Sequence, residues 1–463
     1  MERTRPSRSA PLSVKEPQGT ASRRAALRLM DAVLRKGLPL EAALDTAARD
    51  VKRPDDRAFA HAIVAEALRR LADLDALIDG ATKKPLPDDS KARAALRIAL
   101  VQALAMDTPH HAAISTVLPL VDGGPRRLVH GVFSSVIKKG AALPEIPNLP
   151  GNVRHRWQQA WGGLVVEAAS HALATPPPLD LIFKDDAALE RFKHALCSGA
   201  GRSPAAPGEE AGPRPSPGNA SGVEEPLSLM PRHLRLPART RVSDLPEFEA
   251  GDWWVQDISA SLPARLLGDG KGKTALDLCA APGGKTMQLA AAGYDVTAVD
   301  ASAKRLERLA ENFARTKLNA TTIAADVMHW QPREQVDAIL LDAPCSATGI
   351  FRRHPDVLYR ARPRVIAELA EAQKAMLARA AGWLKPGGTL VYSVCSLEPE
   401  EGERVVEAFR EAHPDFEILP IRPDEMADGT APSQEGYLRI LPGALAEQGG
   451  ADGFFMVRMR KLR

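Results

Sequence analysis

The sequence predicts two folded parts, an all-α helical bundle followed by a doubly wound α/β domain. From about residue 22 to 140, apolar residues recur at steps of three and four, which is the period of packed helices. After Trp253, short apolar stretches alternate with helical ones, as in a mostly parallel sheet covered by helices on both faces. A Gly-rich turn follows the first long apolar stretch of this part, where such sheets bind ligands.

Length and composition suggest how the chain is divided. A chain of 463 residues is too long for one ordinary domain. We predict a disordered leader at 1–20, an all-α domain at 21–142, a connecting region at 143–245 and the α/β domain at 246–463. Within the connecting region, residues 198–226 have almost no side chains to bury and predict a flexible, low-complexity insertion.

In the helical part, apolar residues from Phe59 to Ile78 predict one long helix that ends near Gly80. In the connecting region, Trp157 and Trp161 lie four apart and should share one helix face in a core. In the α/β part, the predicted strands are 274–279, 295–300, 321–326, 338–344, 389–395, 437–442 and 454–460. Four helices are predicted in this part: one that begins at Lys285, and three at 302–317, 363–384 and 402–412.

Composition excludes several classes of protein. With 44% hydrophobic and 26% charged residues, the chain is neither fully disordered nor fibrous. No apolar run reaches the roughly 20 residues that span a bilayer, so no membrane is expected as a partner. The basic N-terminus lacks the apolar core of a secretory signal, and four scattered cysteines do not make a disulfide scaffold. A reducing, cytoplasmic setting is therefore expected.

Charge is distributed unevenly along the chain. Residues 1–140 carry 24 Lys and Arg against 16 Asp and Glu, whereas the remaining residues carry 37 against 42. A basic front part suggests a polyanionic partner. An ordinary solvated surface on the helices explains the same excess equally well, and charge alone does not choose between the two.

Candidate site residues follow the ends of the predicted strands. The first strand leads into a turn, CAAPGGKT at 279–286, whose glycines let a ligand approach the backbone. Asp300 ends the second strand and could accept hydrogen bonds from two ribose hydroxyls, and Asp326 ends the third within reach of an adenine amino group. Cys345 and Cys395 follow the fourth and fifth strands, beside the reactive end of a nucleoside cofactor laid across this edge.

Two rival interpretations of the turn are weaker. A phosphate-binding P-loop would need glycine at position 279, where this chain has Cys279. A dinucleotide fingerprint would need G-x-G-x-x-G, which is absent at this turn. Ordinary strand-end loops remain the plain alternative, but three strand-end carboxylates with two thiols are hard to obtain by accident.

Two neighbouring thiols suit one reaction in particular. A thiolate that adds to carbon 6 of cytosine turns carbon 5 into a nucleophile, and a second thiol can assist release of the carbon 5 proton. Asp342, at the end of the fourth strand, could hold the base edge. The base must be unstacked, which suits single-stranded or loop RNA. These residues leave open which thiol attacks, and Cys197 and Cys279 are interpreted as small apolar side chains.

At these residues the chain resembles the Sun-type (RsmB) family of RNA cytosine-C5 methyltransferases. The matching segments are DLCAAPGGKT (277–286), VTAVDAS (296–302), LLDAPCSATG (340–349), FRRHPDV (351–357), LKPGGTLVYSVCS (384–396) and DGFFMVRMRK (452–461). WWVQDISASLPARLL (253–267) is similar to the segment that precedes them. The resemblance implies a Rossmann-like methyltransferase fold, with Cys395 as the nucleophile, Cys345 as acid or base for product release and Asp342 positioning the base.

The resemblance also implies a cofactor and a substrate. It implies S-adenosyl-L-methionine, with no metal, bound by Cys279, Ala280, Ala281, Pro282, Gly283, Gly284, Lys285, Asp300, Asp326 and Asp342. The helical part resembles the RNA-binding domain of the NusB family in RRLADLDALID (69–79), ALRIALVQAL (95–104) and RRLVHGVFSSVI (126–137). That combination implies a monomeric enzyme acting on 16S, small-subunit ribosomal RNA. Alternatives are the same chemistry on transfer RNA, or an RNA-binding factor without catalysis.

Two positions depart from the family's usual pattern. Val394 precedes the implied nucleophile where the family usually has Thr, and Ala347 stands where it usually has Gly. Neither change removes a thiol, so the resemblance still implies activity, with a pocket whose shape differs.

Overall fold

The computed structural model describes residues 16–198 and 225–462. Most of the leader predicted at 1–20 and of the insertion predicted at 198–226 lies outside the described residues. The chain forms two compact units, which divide between Asn148 and Leu149. The domain boundaries predicted at 142 and 245 stay predictions.

The first unit is helical in its described part, as predicted. Its helices are α1 Thr20–Leu34, α2 Leu40–Ala47, α3 Pro54–Arg69, α4 Leu71–Gly80, α5 Lys91–Ala105, α6 His110–Ser115 and α7 Gly123–Lys138. Ser90 caps α5, because its hydroxyl accepts a hydrogen bond from the Arg93 N–H at 3.2 Å. The α5 helix lies at the centre of the unit, with Leu96 and Leu100 fully buried, and it packs against α1, α3, α4 and α7.

The single long helix predicted from Phe59 to Ile78 is wrong, because the chain breaks at Arg70 into α3 and α4. Arg70 has φ −113° and ψ 19°, outside the helical region. Its side chain donates to Glu66 at 2.7 Å and to the Pro144 carbonyl at 2.8 Å. Since α4 begins at the next residue, the apolar period continues across the break and does not reveal it.

The second unit begins with elements in the region predicted as a connector. They are α8 Gly151–Trp161, α9 Gly163–Ala174, β1 Leu179–Phe183, α10 Asp186–Ser198 and β2 His233–Leu236, followed by β3 Trp253–Val255. The three strands form a small antiparallel sheet in the order β2-β1-β3. Trp157 in α8 is fully buried and Trp161 is half-buried, which confirms their packing role. The strands were not predicted, because all four residues of β2 are buried and show no alternation.

The α/β elements of the second unit agree closely with prediction. They are α11 Ile258–Arg265, β4 Thr274–Leu278, α12 Gly284–Ala291, β5 Asp295–Asp300, α13 Ala303–Thr316, β6 Thr321–Ala324, β7 Val336–Asp342, α14 Val357–Arg360, α15 Pro363–Ala381, β8 Leu384–Val394, α16 Glu403–Ala412, β9 Phe416–Ile418, β10 Leu438–Ile440 and β11 Phe454–Lys461. All seven strands predicted for this part are present, and the short β9 is an addition.

The large sheet has the order β10-β11-β8-β7-β4-β5-β6 in the described chain, and β9 pairs with β11. The strands from β8 to β6 are parallel, and β11 runs antiparallel to β8. From β4 the chain moves outward through β5 and β6, and then returns to place β7 on the other side of β4. This reversal opens a crevice beyond the carboxyl ends of β4 and β7, where such sheets bind ligands.

Helices cover both faces of this sheet, which confirms the doubly wound α/β class. Met287, Leu309 and Phe313, from α12 and α13, pack on one face. Leu377 and Phe409, from α15 and α16, pack on the other. No helix in the described ranges is both long enough and apolar enough to cross a membrane.

A buried ion pair within the small sheet also binds α11 and the loop that precedes β11. Asp180 of β1 accepts two hydrogen bonds from Arg235 of β2, at 2.7 and 2.9 Å, and a third from the Ile258 N–H at 3.0 Å. Arg235 also donates to the carbonyls of Gln448 and Gly450 at 2.8 Å. Both charged side chains are inaccessible to solvent. The buried His233 ring also lies 3.1 Å from Asp180 Oδ1, but Arg235 is the permanent cation that compensates the carboxylate.

We expect Arg235→Ala to lower the free energy of unfolding by about 3–5 kcal/mol, because it leaves the Asp180 carboxylate buried without its cation. Urea unfolding followed by circular dichroism measures the change. The matched control is Arg460→Ala, which breaks an exposed pair with Glu417 and should cost at most about 1 kcal/mol. Equal losses for the two variants would contradict the prediction.

Candidate active site

The crevice gathers the ends of three strands at one place. Asp342 is the last residue of β7, and Cys395 directly follows the last residue of β8. The parallel ladder pairs Asp342 with Ser393, so the two strands end side by side. The turn that begins at Cys279 follows β4, the next strand in the sheet. Residues from three distant parts of the chain therefore meet at one edge.

The Gly-rich turn between β4 and α12 is shaped by tight backbone geometry. Cys279 has φ +65° and Gly283 has φ +102°, both in the left-handed region. A Cβ on Gly283 would lie 2.9 Å from Leu309 Cγ, so the turn has no space for a side chain there. The turn can thus present its backbone to a ligand.

A cavity of about 500 Å³ opens beside this turn. Seven residues that were predicted from the sequence line this cavity: Cys279, Ala280, Ala281, Pro282, Gly284, Lys285 and Asp342. Trp254, Gln256 and Asp277 complete part of the wall. This volume lies in the range that small-molecule and cofactor sites occupy.

Asp300 ends β5 as predicted, but β6 ends at Ala324, two residues before Asp326, because the chain leaves the sheet earlier than predicted. Neither carboxylate lines this cavity. Asp300 is buried, and its two oxygens accept from the N–H groups of Ala281, at 3.1 Å, and Ser302, at 2.9 Å. Asp300 therefore supports the turn from behind. Asp326 is half exposed, and a hydrogen bond from the Met328 N–H lowers the pKa of its carboxyl.

Asp342 is held by two donors. Lys285 Nζ lies 2.7 Å from Asp342 Oδ2, and Ser393 Oγ donates to Oδ1 at 2.9 Å. Burial alone would lower the pKa of the Lys285 ammonium. The charge of Asp342, its hydrogen bond and, to a smaller degree, Cys395 outweigh burial, so the net pKa is raised. Lys285 therefore stays protonated and fixes the direction of the Asp342 carboxylate.

Cys345 and Cys395 are brought together, with Sγ atoms 3.5 Å apart. Both are free and half-buried. The hydrogen bond to Cys395 and burial raise the pKa of Cys345 well above its usual value. Burial likewise raises the pKa of Cys279 to about 12, whereas Cys197 is exposed. One close pair of thiols therefore lies beside Asp342.

Comparison with known proteins places this arrangement in a family. Residues 264–460 match the model of the 16S rRNA methyltransferase RsmB/F, and residues 20–136 match that of the NusB family. A protein of Xanthomonas campestris named ribosomal RNA small subunit methyltransferase B is 33% identical over 87% of this chain and 90% of its own length. The chain belongs to the ribosomal RNA small subunit methyltransferase B family. The resemblances inferred from the sequence are thereby confirmed.

Other relatives agree with this family assignment. A Klebsiella pneumoniae protein of the same name is 32% identical over 95% of this chain and 97% of its own length. A Cronobacter sakazakii protein of that name is 44% identical, but the match spans 50% of this chain and 52% of the relative. The crystal structure of PH0851 shares the fold, with a TM-score of 0.69 at 22% identity over 97% of this chain and 100% of that one. A methyltransferase homologue from Pyrococcus horikoshii has a TM-score of 0.52 at 25% identity, over 66% and 94% of the two chains.

The site of this methyltransferase fits S-adenosyl-L-methionine, the cofactor of the family. Asp277 Oδ1 is buried and has no hydrogen-bond partner among the described residues, although Asp277 lies in the cavity wall. An ammonium group of a ligand would satisfy this orphaned acceptor. The carboxylates of Asp277 and Asp342 also suit a cationic sulfonium. The backbone at 279–284 and these carboxylates are the groups that would hold the cofactor.

Several groups of this site were not predicted from the sequence. They are Trp254, Gln256 and Asp277 in the cavity wall, and the buried carboxylate of Glu401 near the thiols. Glu401 accepts hydrogen bonds from Ser346 and Ser396, the residues that follow the two thiols. A glutamate five residues after a Ser at a strand end is a weak signal in the sequence. The structure was needed to show where its side chain points.

Asp277 also predicts a pH dependence of stability. Burial raises the pKa of Asp277 to about 7, against a hydrogen bond from Thr286 at 2.6 Å that lowers it. Between about pH 4 and 7 the folded protein therefore binds a proton that the unfolded chain has lost, so this group makes stability fall as pH rises through that window.

Between pH 4 and 8, the free energy of unfolding should decrease by roughly 3–4 kcal/mol less in Asp277→Asn than in the wild type, because the amide has no proton to lose. Urea unfolding of the cofactor-free protein at a series of pH values measures it. The wild type serves as the reference, and an identical pH dependence in the two proteins would contradict the assignment to Asp277.

Proposed function

We propose that this methyltransferase transfers a methyl group to carbon 5 of a cytosine in small-subunit ribosomal RNA through a covalent adduct with Cys395. The observation that carries the proposal is the pair of thiols 3.5 Å apart. They follow β7 and β8, and Asp342, the last residue of β7, lines the cofactor cavity. Direct transfer to an exocyclic nitrogen would need no thiol, whereas carbon 5 needs a nucleophile at carbon 6. The names of the relatives support ribosomal RNA as the substrate.

In the proposed reaction, Cys395 Sγ as a thiolate forms a bond to carbon 6 of the unstacked cytosine. Carbon 5 thereby gains an electron pair for attack on an electrophilic methyl group. S-adenosylmethionine, held by the turn at 279–284, would supply that group; its methyl–sulfur bond would break and S-adenosylhomocysteine would leave. Asp342, aligned by Lys285 and Ser393, accepts hydrogen bonds from the base edge. Loss of the carbon 5 proton then re-forms the 5,6 double bond and expels the Cys395 thiolate.

The electrostatics of the thiol pair suit Cys345 for that last proton transfer. In the free site, the hydrogen bond to Cys395 is the largest cause that raises the pKa of Cys345. Once Cys395 is bonded to carbon, its sulfur is neutral and this contribution is lost. Cys345 therefore ionises more easily at that step, and its thiolate is available to accept the carbon 5 proton.

The helical unit is proposed to hold the RNA by its phosphates. It matches the NusB family, and its α7 helix exposes the basic residues Arg126, Arg127 and Lys138, with Lys139 exposed directly after the helix. Arginine and lysine contacts to phosphates supply affinity without sequence information, while the pocket selects the base. The basic excess in the first 140 residues supports this proposal.

The first test concerns the two thiols. We expect Cys395→Ala to abolish methylation, because no nucleophile remains. Cys345→Ala should retain attack but lose release, so that protein linked to RNA accumulates. Denaturing gels with labelled RNA detect this species, and bisulfite mapping locates the modified cytosine.

Cys197→Ser is the control for loss of a thiol, because Cys197 is exposed and lies outside the site. It should methylate at the wild-type rate. A Cys345→Ala protein that shows no RNA-linked species, or a Cys395→Ala protein that still methylates, would refute the covalent route. Modification confined to transfer RNA would refute the ribosomal substrate.

The second test concerns the helical unit. We expect the double variant Arg126→Glu, Arg127→Glu to weaken RNA binding and to reduce the slope of log K against log salt by about 1–2. Cofactor affinity should not change. The control is Arg35→Ala in the same unit, whose guanidinium is already paired with Asp31 at 2.7 and 3.0 Å. Unchanged RNA affinity in the double variant would refute the role of α7.

A further inference from the structure

One buried carboxylate, that of Glu401, joins the two loops that carry the thiols. Ser346 follows Cys345 and Ser396 follows Cys395, and both hydroxyls donate to Glu401 Oε2, the second at 2.5 Å. The Ser346 N–H donates to Oε1 at 2.8 Å. The residue after each thiol is thus bonded to the same side chain.

The carboxylate is itself fixed by the sheet and by α15. Gln373 Nε2 donates to Glu401 Oε1 at 3.1 Å and to the carbonyl of Pro344 at 2.9 Å. Pro344 is the residue before Cys345. The Tyr392 hydroxyl donates to the Glu401 carbonyl at 2.6 Å, and it lies 3.2 Å from Gln373 Oε1. All of these side chains are buried, so water cannot replace a lost bond.

The two thiols depend on this network to different degrees. Cys395 directly follows Val394, which is paired with Phe455 in the sheet. The Cys395 carbonyl accepts a hydrogen bond from the Gly349 N–H at 3.0 Å. Cys345 lies beyond the end of β7, and two of the hydrogen bonds that hold its loop go to Glu401. Loss of the carboxylate should therefore displace Cys345 more than Cys395.

A second buried glutamate on the same segment shows what an ordinary structural role looks like. Glu398 accepts from Arg156 Nε and Nη2 at 3.1 Å and from the Trp157 indole at 3.1 Å. Its side chain is compensated by a cation and faces α8. Glu401 receives neutral donors, namely Ser346 and Ser396 beside the thiols and Gln373 of α15. A carboxylate buried without a cation is costly, which suggests that this position serves the site.

We propose that Glu401 is a positioning residue that keeps Cys345 aligned with Cys395 for release of the methylated base. The inference rests on the proposed function and deepens it. It assigns Glu401 to the release step rather than to attack or cofactor binding. A merely structural glutamate would affect every step alike.

The test uses Glu401→Gln in the full-length chain. The variant keeps the side-chain volume but has one accepting oxygen, so it cannot serve the Ser346 N–H and both hydroxyls together. We expect methyl transfer in a single turnover to stay near the wild-type rate while kcat falls about ten- to a hundredfold, since a misplacement near 1 Å costs that much. Protein linked to RNA should accumulate on denaturing gels, and the KM for S-adenosylmethionine should not change.

Glu398→Gln is the matched control, because it removes an equally buried carboxylate from the same segment. It should lower stability without accumulating RNA-linked protein. If Glu401→Gln does not fold, Ser346→Ala takes its place, because it removes one donor to Glu401, and a smaller accumulation of the same species is expected. A folded variant that shows no accumulation, or equal accumulation in Glu398→Gln, would overturn the inference.

The Cys345→Ala variant distinguishes a failure of this inference from a failure of the proposed function. RNA-linked protein in Cys345→Ala but not in Glu401→Gln would overturn the role of Glu401 and leave the covalent mechanism intact. Absence of the species from both variants, with no methylation of RNA by the wild type, would overturn both.

Discussion

The parallel ladder between β7 and β8 is the constraint on which the site depends. It pairs Leu341 with Tyr392 and Asp342 with Ser393, so the two strands end together at the crevice. A shift of one residue would turn every side chain to the opposite face of the sheet. The apolar neighbours of Asp342 prevent that shift, because Leu341 and Tyr392 are fully buried. The packing of the sheet thus sets the distance between the thiols that follow.

The second constraint is electrostatic. Asp277, Asp300 and Asp342 converge at the crevice, and Lys285 is the cation paired with Asp342. Burial among these carboxylates raises the pKa of Asp277 and of the Cys279 thiol, since neither can ionise cheaply there. A cationic methyl donor would relieve the same excess of negative charge. Arg305 is paired with Asp300 and Lys285 with Asp342, so Asp277 is the carboxylate that would gain most from a positively charged ligand.

Most of the large sheet could be predicted from sequence, because its strands are continuous apolar runs that end in Asp, Cys or a Gly-rich turn. The thiol pair could be predicted for the same reason, since parallel strands end at one edge. The break at Arg70 could not, because the apolar period continues across it. The small sheet was missed because β2 is buried on both faces, and Glu401 because its role depends on loop geometry. Local pattern thus predicts strands and their ends, whereas tertiary contacts decide which polar side chains converge between them.

The neutral donors around Glu401 agree with the chemistry proposed for Cys345. Glu401 is among the groups that raise the pKa of Cys345, after its hydrogen bond to Cys395 and its burial. A lysine or arginine in place of the serines would stabilise a second thiolate 3.5 Å from the first, and the two charges would repel. Neutral hydroxyls hold the loop without that effect. In the proposed reaction, Cys345 would ionise more easily once Cys395 is bonded to carbon, in keeping with its role in release.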